Sequence, residues 1–172
     1  RVVAGVDYAY PWAALVSGFK FGQRVELARV LCLPLLRRLA ERARPTSASG
    51  QAEWPRLVPV PLARERLRER GYNQSWELSR HLARALQADA AADALFRVRD
   101  TSHQPGLALA ARSANLRDAF VVSPHRAAWV RGAAIALVDD VLTTGATARA
   151  ATHALRAAGA LSVDVWVVAR AA

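Results

Sequence analysis

The chain has 172 residues, enough for one domain with a sizeable core, and its 53% hydrophobic and 22% charged content is ordinary for a globular protein. No apolar run approaches the ~18 residues of a membrane-spanning helix, nothing in residues 1–10 resembles a signal peptide, and the single cysteine, Cys32, excludes an internal disulfide. These features favour a cytoplasmic protein. The net charge of +10 suits a partner that carries several phosphates, either a nucleic acid or a small molecule.

The first part of the chain predicts an irregular segment and then a helix. Aromatic residues, a proline and two glycines over residues 8–22 indicate irregular structure. Apolar residues at helical spacing over residues 25–42 predict a helix whose later half Pro34 starts or kinks. Lys20, the only lysine in the chain, lies where these two parts meet.

A loop is predicted over residues 44–55, which contain proline, glycine, threonine and serine. We expect it to separate an N-terminal helical part, residues 1–45, from a core, residues 55–172, within one domain. Residues 57–60 then predict a short strand, and the prolines around it suit an edge strand followed by a turn.

Four arginines alternate with two glutamates and a leucine over residues 64–70. Such a run is usually a solvated, ion-paired face, but here positive charge is left over for a phosphate. Asn73 is a good N-cap for the helix that follows. Further strands are predicted at residues 95–98, 120–122 and 162–168, and strands that alternate with helices indicate parallel βαβ units, hence an α/β fold.

The strongest pattern is an apolar run that ends on two acids. Residues 133–138 have the length and unbroken apolar character of a strand buried on both faces of a parallel sheet. Asp139 and Asp140 follow, then small and hydroxyl-bearing residues at 143–147, and then an alanine-rich helix predicted over 148–158.

This pattern predicts a sugar-phosphate site. Backbone N–H groups and the helix dipole at a helix N-terminus favour phosphate, and threonine hydroxyls in the 143–147 loop add donors. Asp139 and Asp140 are placed to accept hydrogen bonds from ribose hydroxyls. A Walker B magnesium site would need a P-loop lysine, and Lys20 is not in such a motif. A purely structural strand-to-helix turn explains one acid but not two.

Residues 138–147 resemble the phosphoribosyl pyrophosphate (PRPP) signature of type I phosphoribosyltransferases, and the chain as a whole resembles the ComF family of competence-associated proteins. The family-specific pieces occur in order over nearly the whole chain. They are residues 19–21, 58–62 and 66–74, Thr101 with Gln104, Arg112 with Asn115 and Phe120, and residues 167–170.

The resemblance implies a type I phosphoribosyltransferase-like α/β fold, with a central, mainly parallel sheet flanked by helices, and it implies roles for named residues. Asp139 and Asp140 would be catalytic. The 5-phosphate would be bound by Thr143, Thr144, Gly145, Ala146 and Thr147, and the pyrophosphate by Pro61, Leu62, Ala63 and Arg64. A flexible loop would contribute Gln104, Arg112 and Asn115, and Lys20 and Arg70 would also face the ligand.

The implied reaction is displacement of pyrophosphate from C1 of the ribose, with Mg²⁺ held mainly by oxygens of PRPP and not directly by the protein. The ligand is PRPP or a nucleoside 5-monophosphate; the acceptor is not indicated. The alternative is a non-catalytic module that senses PRPP or handles single-stranded DNA beside a helicase-like competence protein, with Arg66, Arg68, Tyr72 and Trp76 as a DNA surface. A homodimer is left open. The family's cysteine-rich zinc segment has no counterpart in this sequence.

Overall fold

The structure is a computed structural model and describes residues 1–42, 53–98 and 119–171. The strands within these ranges are β1 Val2–Asp7, β2 Arg56–Pro59, β3 Leu95–Arg97, β4 Phe120–Val122, β5 Ala134–Leu142 and β6 Ser162–Arg170. The helices are α1 Trp12–Phe21, α2 Leu27–Ala40, α3 Arg64–Arg70, α4 Gln74–Leu86, α5 Ala127–Val130 and α6 Ala146–Ala157.

Four of these strands form one sheet in the order β1-β6-β5-β2, and all neighbours in it are parallel. β3 and β4 form a separate antiparallel pair. The apolar residues at 135–138 of β5 are all buried, as expected for an inner strand covered on both faces. The predicted α/β class with a central parallel sheet flanked by helices is confirmed.

Alternate residues of β5 point into two different cores, because successive side chains of a strand face opposite sides of the sheet. Ala136 and Val138 pack with buried residues of α1, α2 and α4. Ile135 and Leu137 pack with buried residues of α6 and of the β3–β4 pair. The sheet is therefore the middle layer of three, which leaves its carboxyl edge as the place where loops meet.

Two predictions for the N-terminal part were wrong. The segment 8–22 is not irregular throughout, because Trp12–Phe21 forms α1, with Val16 and Phe19 buried at helical spacing. Val2–Asp7, for which no element was predicted, is the edge strand β1. Tertiary packing against β6 and α2 outweighs the proline and glycine signals of this region.

Other boundaries moved by a few residues. The strand predicted to end at Val138 continues to Leu142, so both acids lie inside β5, and the following helix begins at Ala146, so Thr147 is in its first turn. α2 runs on past Pro34. Residues 44–52 of the predicted loop and the predicted flexible loop, with Gln104, Arg112 and Asn115, lie outside the described residues.

Candidate functional site at the carboxyl edge of the sheet

The ends of β2 and β5 lie side by side and bring two predicted site segments together. Pro59 is paired with Val138, and the Val60 N–H donates to the Val138 carbonyl oxygen at 2.9 Å. Asp139 follows Val138 directly, and the 61–64 loop leaves the sheet directly after Val60. Both segments are therefore at the carboxyl edge, where open α/β sheets bind ligands.

Asp139 is held by two hydrogen bonds to one oxygen. Its Oδ1 accepts from the Ser75 hydroxyl at 3.0 Å and from the Asp140 N–H at 2.9 Å. Burial, followed by the charge of Asp140, raises the pKa of the Asp139 carboxyl to about 7, against the lowering effects of these two hydrogen bonds and of Lys20. Asp139 therefore exchanges its proton near neutral pH, which suits a group that accepts or donates a hydrogen bond to a sugar hydroxyl.

Asp140 is 6% exposed and forms an ion pair with Lys20, whose Nζ lies 2.9 Å from Oδ1. Lys20 is in the last turn of α1, and burial of the neighbouring Phe19 fixes that turn against the sheet. The structure thus brings the only lysine to the acid pair, as the resemblance implied. Its contact with a ligand stays a prediction.

The 143–147 loop presents an open helix N-terminus. Gly145 is the N-cap of α6 with φ of 72°, a left-handed conformation that glycine adopts without strain, and it has no side chain to cap the helix. The Ala146 N–H has only a long, 3.4 Å contact with the Thr144 hydroxyl. Arg149 Nη1 donates to the Thr144 carbonyl oxygen at 2.9 Å and steadies the loop from behind. Unpaired N–H groups at such an end favour an anion.

The predicted pyrophosphate residues vary in exposure. Pro61 and Leu62 are partly buried, Ala63 is buried, and Arg64 is exposed as the first residue of α3. α3 has no buried residue, so its arginines face solvent. Arg70, the last of them, has its guanidinium 5.0 Å from the ring centre of Phe21, next to Lys20 in the chain.

Sequence reasoning missed Ser75 and Arg149. The Asn73 cap was predicted and is confirmed, since its side chain accepts from the Ser75 N–H at 2.9 Å. That cap places Ser75 in the first turn of α4, where the side chain is buried and reaches Asp139. A serine just inside a capped helix is an ordinary solvated residue in most proteins, so only the packing of α4 on β5 identifies it.

Within residues 1–42, 53–98 and 119–171, no group of three or more histidine, cysteine, aspartate or glutamate side chains is placed to hold a metal ion. Asp140 is occupied by Lys20, and Asp139 uses Oδ1 for protein donors. The donor set therefore fits a divalent cation that arrives bound to a phosphate ligand better than a cation held by the protein alone. No helix in the described part of the chain is long and apolar enough to span a membrane.

Comparison with known proteins identifies the relatives of this chain. No family model matches the sequence. The chain is 36% identical over 170 residues to DNA utilization protein YhgH of Escherichia coli K12, which covers 99% of this chain and 72% of that protein. It is also 36% identical over 167 residues to competence protein F of Haemophilus influenzae, with 95% and 70% covered. The chain belongs to the ComF family. This confirms the resemblance stated from the motifs.

Among solved structures, the glutamine PRPP amidotransferase of B. subtilis complexed with ADP and GMP matches with a TM-score of 0.49 and 22% identity. The match covers 85% of this ComF chain and 26% of the amidotransferase chain.

Two of the ComF segments that are far apart in sequence are neighbours in space. The Tyr72 hydroxyl donates to the Phe19 carbonyl oxygen, and the two rings lie 5.8 Å apart between centroids. Segments 19–21 and 66–74 therefore form one structural unit beside the acid pair, which accounts for their occurrence together in a family pattern.

Proposed function

We propose that this ComF chain binds PRPP together with Mg²⁺ at the carboxyl edge of its sheet. The 5-phosphate binds the 143–147 loop, the ribose hydroxyls bind Asp139 and Asp140, and the pyrophosphate binds the 61–64 loop. One observation carries the proposal: a buried acid pair in β5 is followed at once by an uncapped helix N-terminus that Gly145 opens with a positive φ.

The charges of the site support a ligand with both hydroxyls and phosphates. Two adjacent carboxylates repel a phosphate but accept hydrogen bonds from a sugar, whereas the N-terminus of α6 attracts phosphate. Lys20 offsets one of the two negative charges. Mg²⁺ enters with the pyrophosphate and ribose oxygens, because the described side chains supply no cage of their own.

If the chain is catalytic, the reaction is phosphoribosyl transfer. A nucleophile attacks C1 of the ribose, the C1–O bond to pyrophosphate breaks, and pyrophosphate leaves with the bonding electrons. Positive charge that develops on the sugar is stabilised by the nearby carboxylates. Asp139, with its pKa near neutrality, is the group of the site best suited to hold a ribose hydroxyl throughout.

The binding proposal is tested by calorimetry with PRPP and Mg²⁺. Asp139→Asn with Asp140→Asn should weaken binding by about 1–3 kcal/mol, the scale of hydrogen bonds to charged groups. Asp164→Asn is the matched control, because Asp164 is also an aspartate of the sheet but pairs with Arg1 at the far end of β6. Equal affinity of the wild type and the double variant would reject the site.

Pyrophosphate release separates an enzyme from a sensor. Wild-type protein is incubated with PRPP, Mg²⁺ and a panel of bases, amines and single-stranded DNA. Release that depends on one acceptor identifies a transferase, and PRPP binding without release in any mixture identifies a sensing module.

A second function, handling of single-stranded DNA in competence on the cytoplasmic side, is suggested by the relatives' names and by one surface. A groove of about 640 Å³ beside β1 is lined by Arg38, Arg42, Arg170, Trp12 and Tyr10, and Tyr10 is 89% exposed. Arginines with aromatic side chains are the composition of single-strand binding grooves. The surface first expected, around residues 64–70, is a poorer fit because the Tyr72 hydroxyl is engaged with Phe19.

The two surfaces are distinguished by matched double variants. Arg38→Ala with Arg42→Ala should weaken DNA binding and flatten its salt dependence, whereas Arg66→Ala with Arg68→Ala should change neither. The opposite result would move the DNA surface to α3, and no binding at about 50 mM salt would reject DNA handling by this chain.

A further inference from the structure

A single turn, residues 72–75, is bonded to three separate parts of the candidate site. The Tyr72 hydroxyl donates to the Phe19 carbonyl oxygen, next to Lys20. Asn73 Nδ2 donates to the Val60 carbonyl oxygen at 3.1 Å, directly before the 61–64 loop. The Ser75 hydroxyl donates to Asp139 at 3.0 Å.

The 72–75 turn is itself firmly held. Gly71, with φ of 78°, ends α3, and the Asn73 side chain caps α4 by accepting from the Ser75 N–H at 2.9 Å. α4 is anchored in the core by Leu78 and Leu82, which are fully buried. A turn fixed at both ends in this way can impose its geometry on the groups that it contacts.

We propose that the 72–75 turn positions the ligand site and that Ser75 is a positioning residue for Asp139. The Ser75 hydroxyl and the Asp140 N–H both donate to Oδ1, which leaves Oδ2 for a hydroxyl of the ligand. This inference rests on the proposed ribose site, and it adds that α4 determines how Asp139 meets the ribose.

The electrostatics of Asp139 agree with this role. The charged groups that face it are Asp140 of β5 and Lys20 of α1, and Ser75 is the contributor from α4. Burial and Asp140 raise the pKa of Asp139, and the Ser75 hydrogen bond lowers it. Without the hydroxyl, the carboxyl group should therefore hold its proton to a higher pH and lose the fixed orientation of Oδ1.

The test is an NMR titration of the Asp139 side-chain carboxyl carbon in the ligand-free protein. Ser75→Ala should move the midpoint above the wild-type value of about 7. Ser79→Ala is the matched control, because Ser79 is buried one turn later and donates to the Ser75 carbonyl oxygen at 2.7 Å instead of to Asp139. Its midpoint should equal that of the wild type.

PRPP affinity provides the second readout. At pH 7 Ser75→Ala should bind PRPP about 2- to 10-fold more weakly, the effect of one lost hydrogen bond, and the loss should shrink as the pH is raised and Asp139 ionises. A purely structural role would give a loss that does not depend on pH. Ser75→Cys, of similar shape but with a weak thiol donor, gives the same test if the alanine variant does not fold.

The titration needs no ligand, so its outcome is independent of PRPP binding. An unshifted midpoint in both Ser75 variants, or an equal shift in Ser79→Ala, overturns the positioning role. A shifted midpoint in a protein whose wild type binds no PRPP supports the effect of Ser75 on Asp139 and overturns the proposed function instead.

Discussion

The acid pair and the 143–147 loop are consecutive in the chain but are held in opposite ways. Asp139 and Asp140 are tied by Ser75, by a backbone N–H and by Lys20, and the groups that tie them come from three elements. The loop is tied from outside by Arg149 alone among the described side chains, and its helix N-terminus is open. The protein therefore fixes the charged half of the site in advance and leaves the donors of the other half for the ligand.

The largest effect on this comparison is expected from Gly145→Val. A β-branched residue at φ of 72° is strongly disfavoured, and a Cβ there would lie 3.1 Å from Arg149 Nη1. We expect the loop to change its course and PRPP binding to fall by more than about 100-fold, or ~3 kcal/mol, as measured by calorimetry.

Gly132→Val is the control for this substitution. Gly132 has nearly the same φ, 70°, and a Cβ there meets nothing within 4 Å, in a turn before β5 and away from the acid pair. Both variants should lose similar stability, about 1–3 kcal/mol of backbone strain. Normal binding by Gly145→Val, or equal loss of binding by Gly132→Val, would contradict the assignment of the loop.

The buried acid should make the protein less stable as the pH rises. The pKa of Asp139 is raised to about 7 in the folded chain from an ordinary value of 3.8, so the folded state binds this proton more tightly. Its contribution is complete below pH ~4 and is lost as the pH rises through ~7, with a slope of up to about 1.4 kcal/mol per pH unit.

Urea unfolding of the wild type and Asp139→Asn at several pH values measures this effect. The variant keeps the shape of the side chain but does not titrate, so its stability should depend less on pH and should exceed that of the wild type above pH 7. Parallel pH profiles for the two proteins would show that Asp139 ionises as an ordinary carboxyl group.

Removal of the lysine should cost less. Lys20→Met leaves Asp140, whose side chain is 9% exposed, without its partner and should lower the free energy of unfolding by about 1–3 kcal/mol. Arg126→Met is the control, because the Arg126–Asp93 pair has the same 2.9 Å separation but exposed side chains, and should cost less than about 1 kcal/mol. Equal costs would mean that burial gives the Lys20 pair no special weight.

The smallest effect is expected on the open side of the site. Arg149 is exposed and its single hydrogen bond goes to a loop carbonyl, so Arg149→Met should change the unfolding free energy by no more than about 0.5 kcal/mol. A cost as large as that of Lys20→Met would show that the loop is held as firmly as the acid pair.

The sequence predicted those parts of the molecule that depend on local pattern. The unbroken apolar run before Asp139, the two acids and the following glycine were sufficient for the strand, the carboxyl-edge location and the open helix end, and Asn73 was sufficient for the cap. β1 was missed because Val2–Asp7 has little polar alternation to distinguish it, and α1 was missed because the glycines masked the spacing of Val16 and Phe19.

Residues that depend on packing between elements were not predictable. Ser75 is assigned by the docking of α4 on β5, and nothing in its own neighbourhood separates it from a solvated serine. The Lys20–Asp140 pair joins residues 120 positions apart through the burial of Phe19. The roles of Asp139, of the 143–147 loop and of the 61–64 loop toward a ligand stay predictions.

A crystal structure of the wild-type protein with PRPP and Mg²⁺ tests the central claim most directly. We expect the 5-phosphate within about 3 Å of the backbone N–H groups at the start of α6, and both ribose hydroxyls on the carboxylates of Asp139 and Asp140. PRPP seated elsewhere, for example against Arg38 and Arg42 in the groove beside β1, or no bound PRPP at a saturating concentration, would contradict the account.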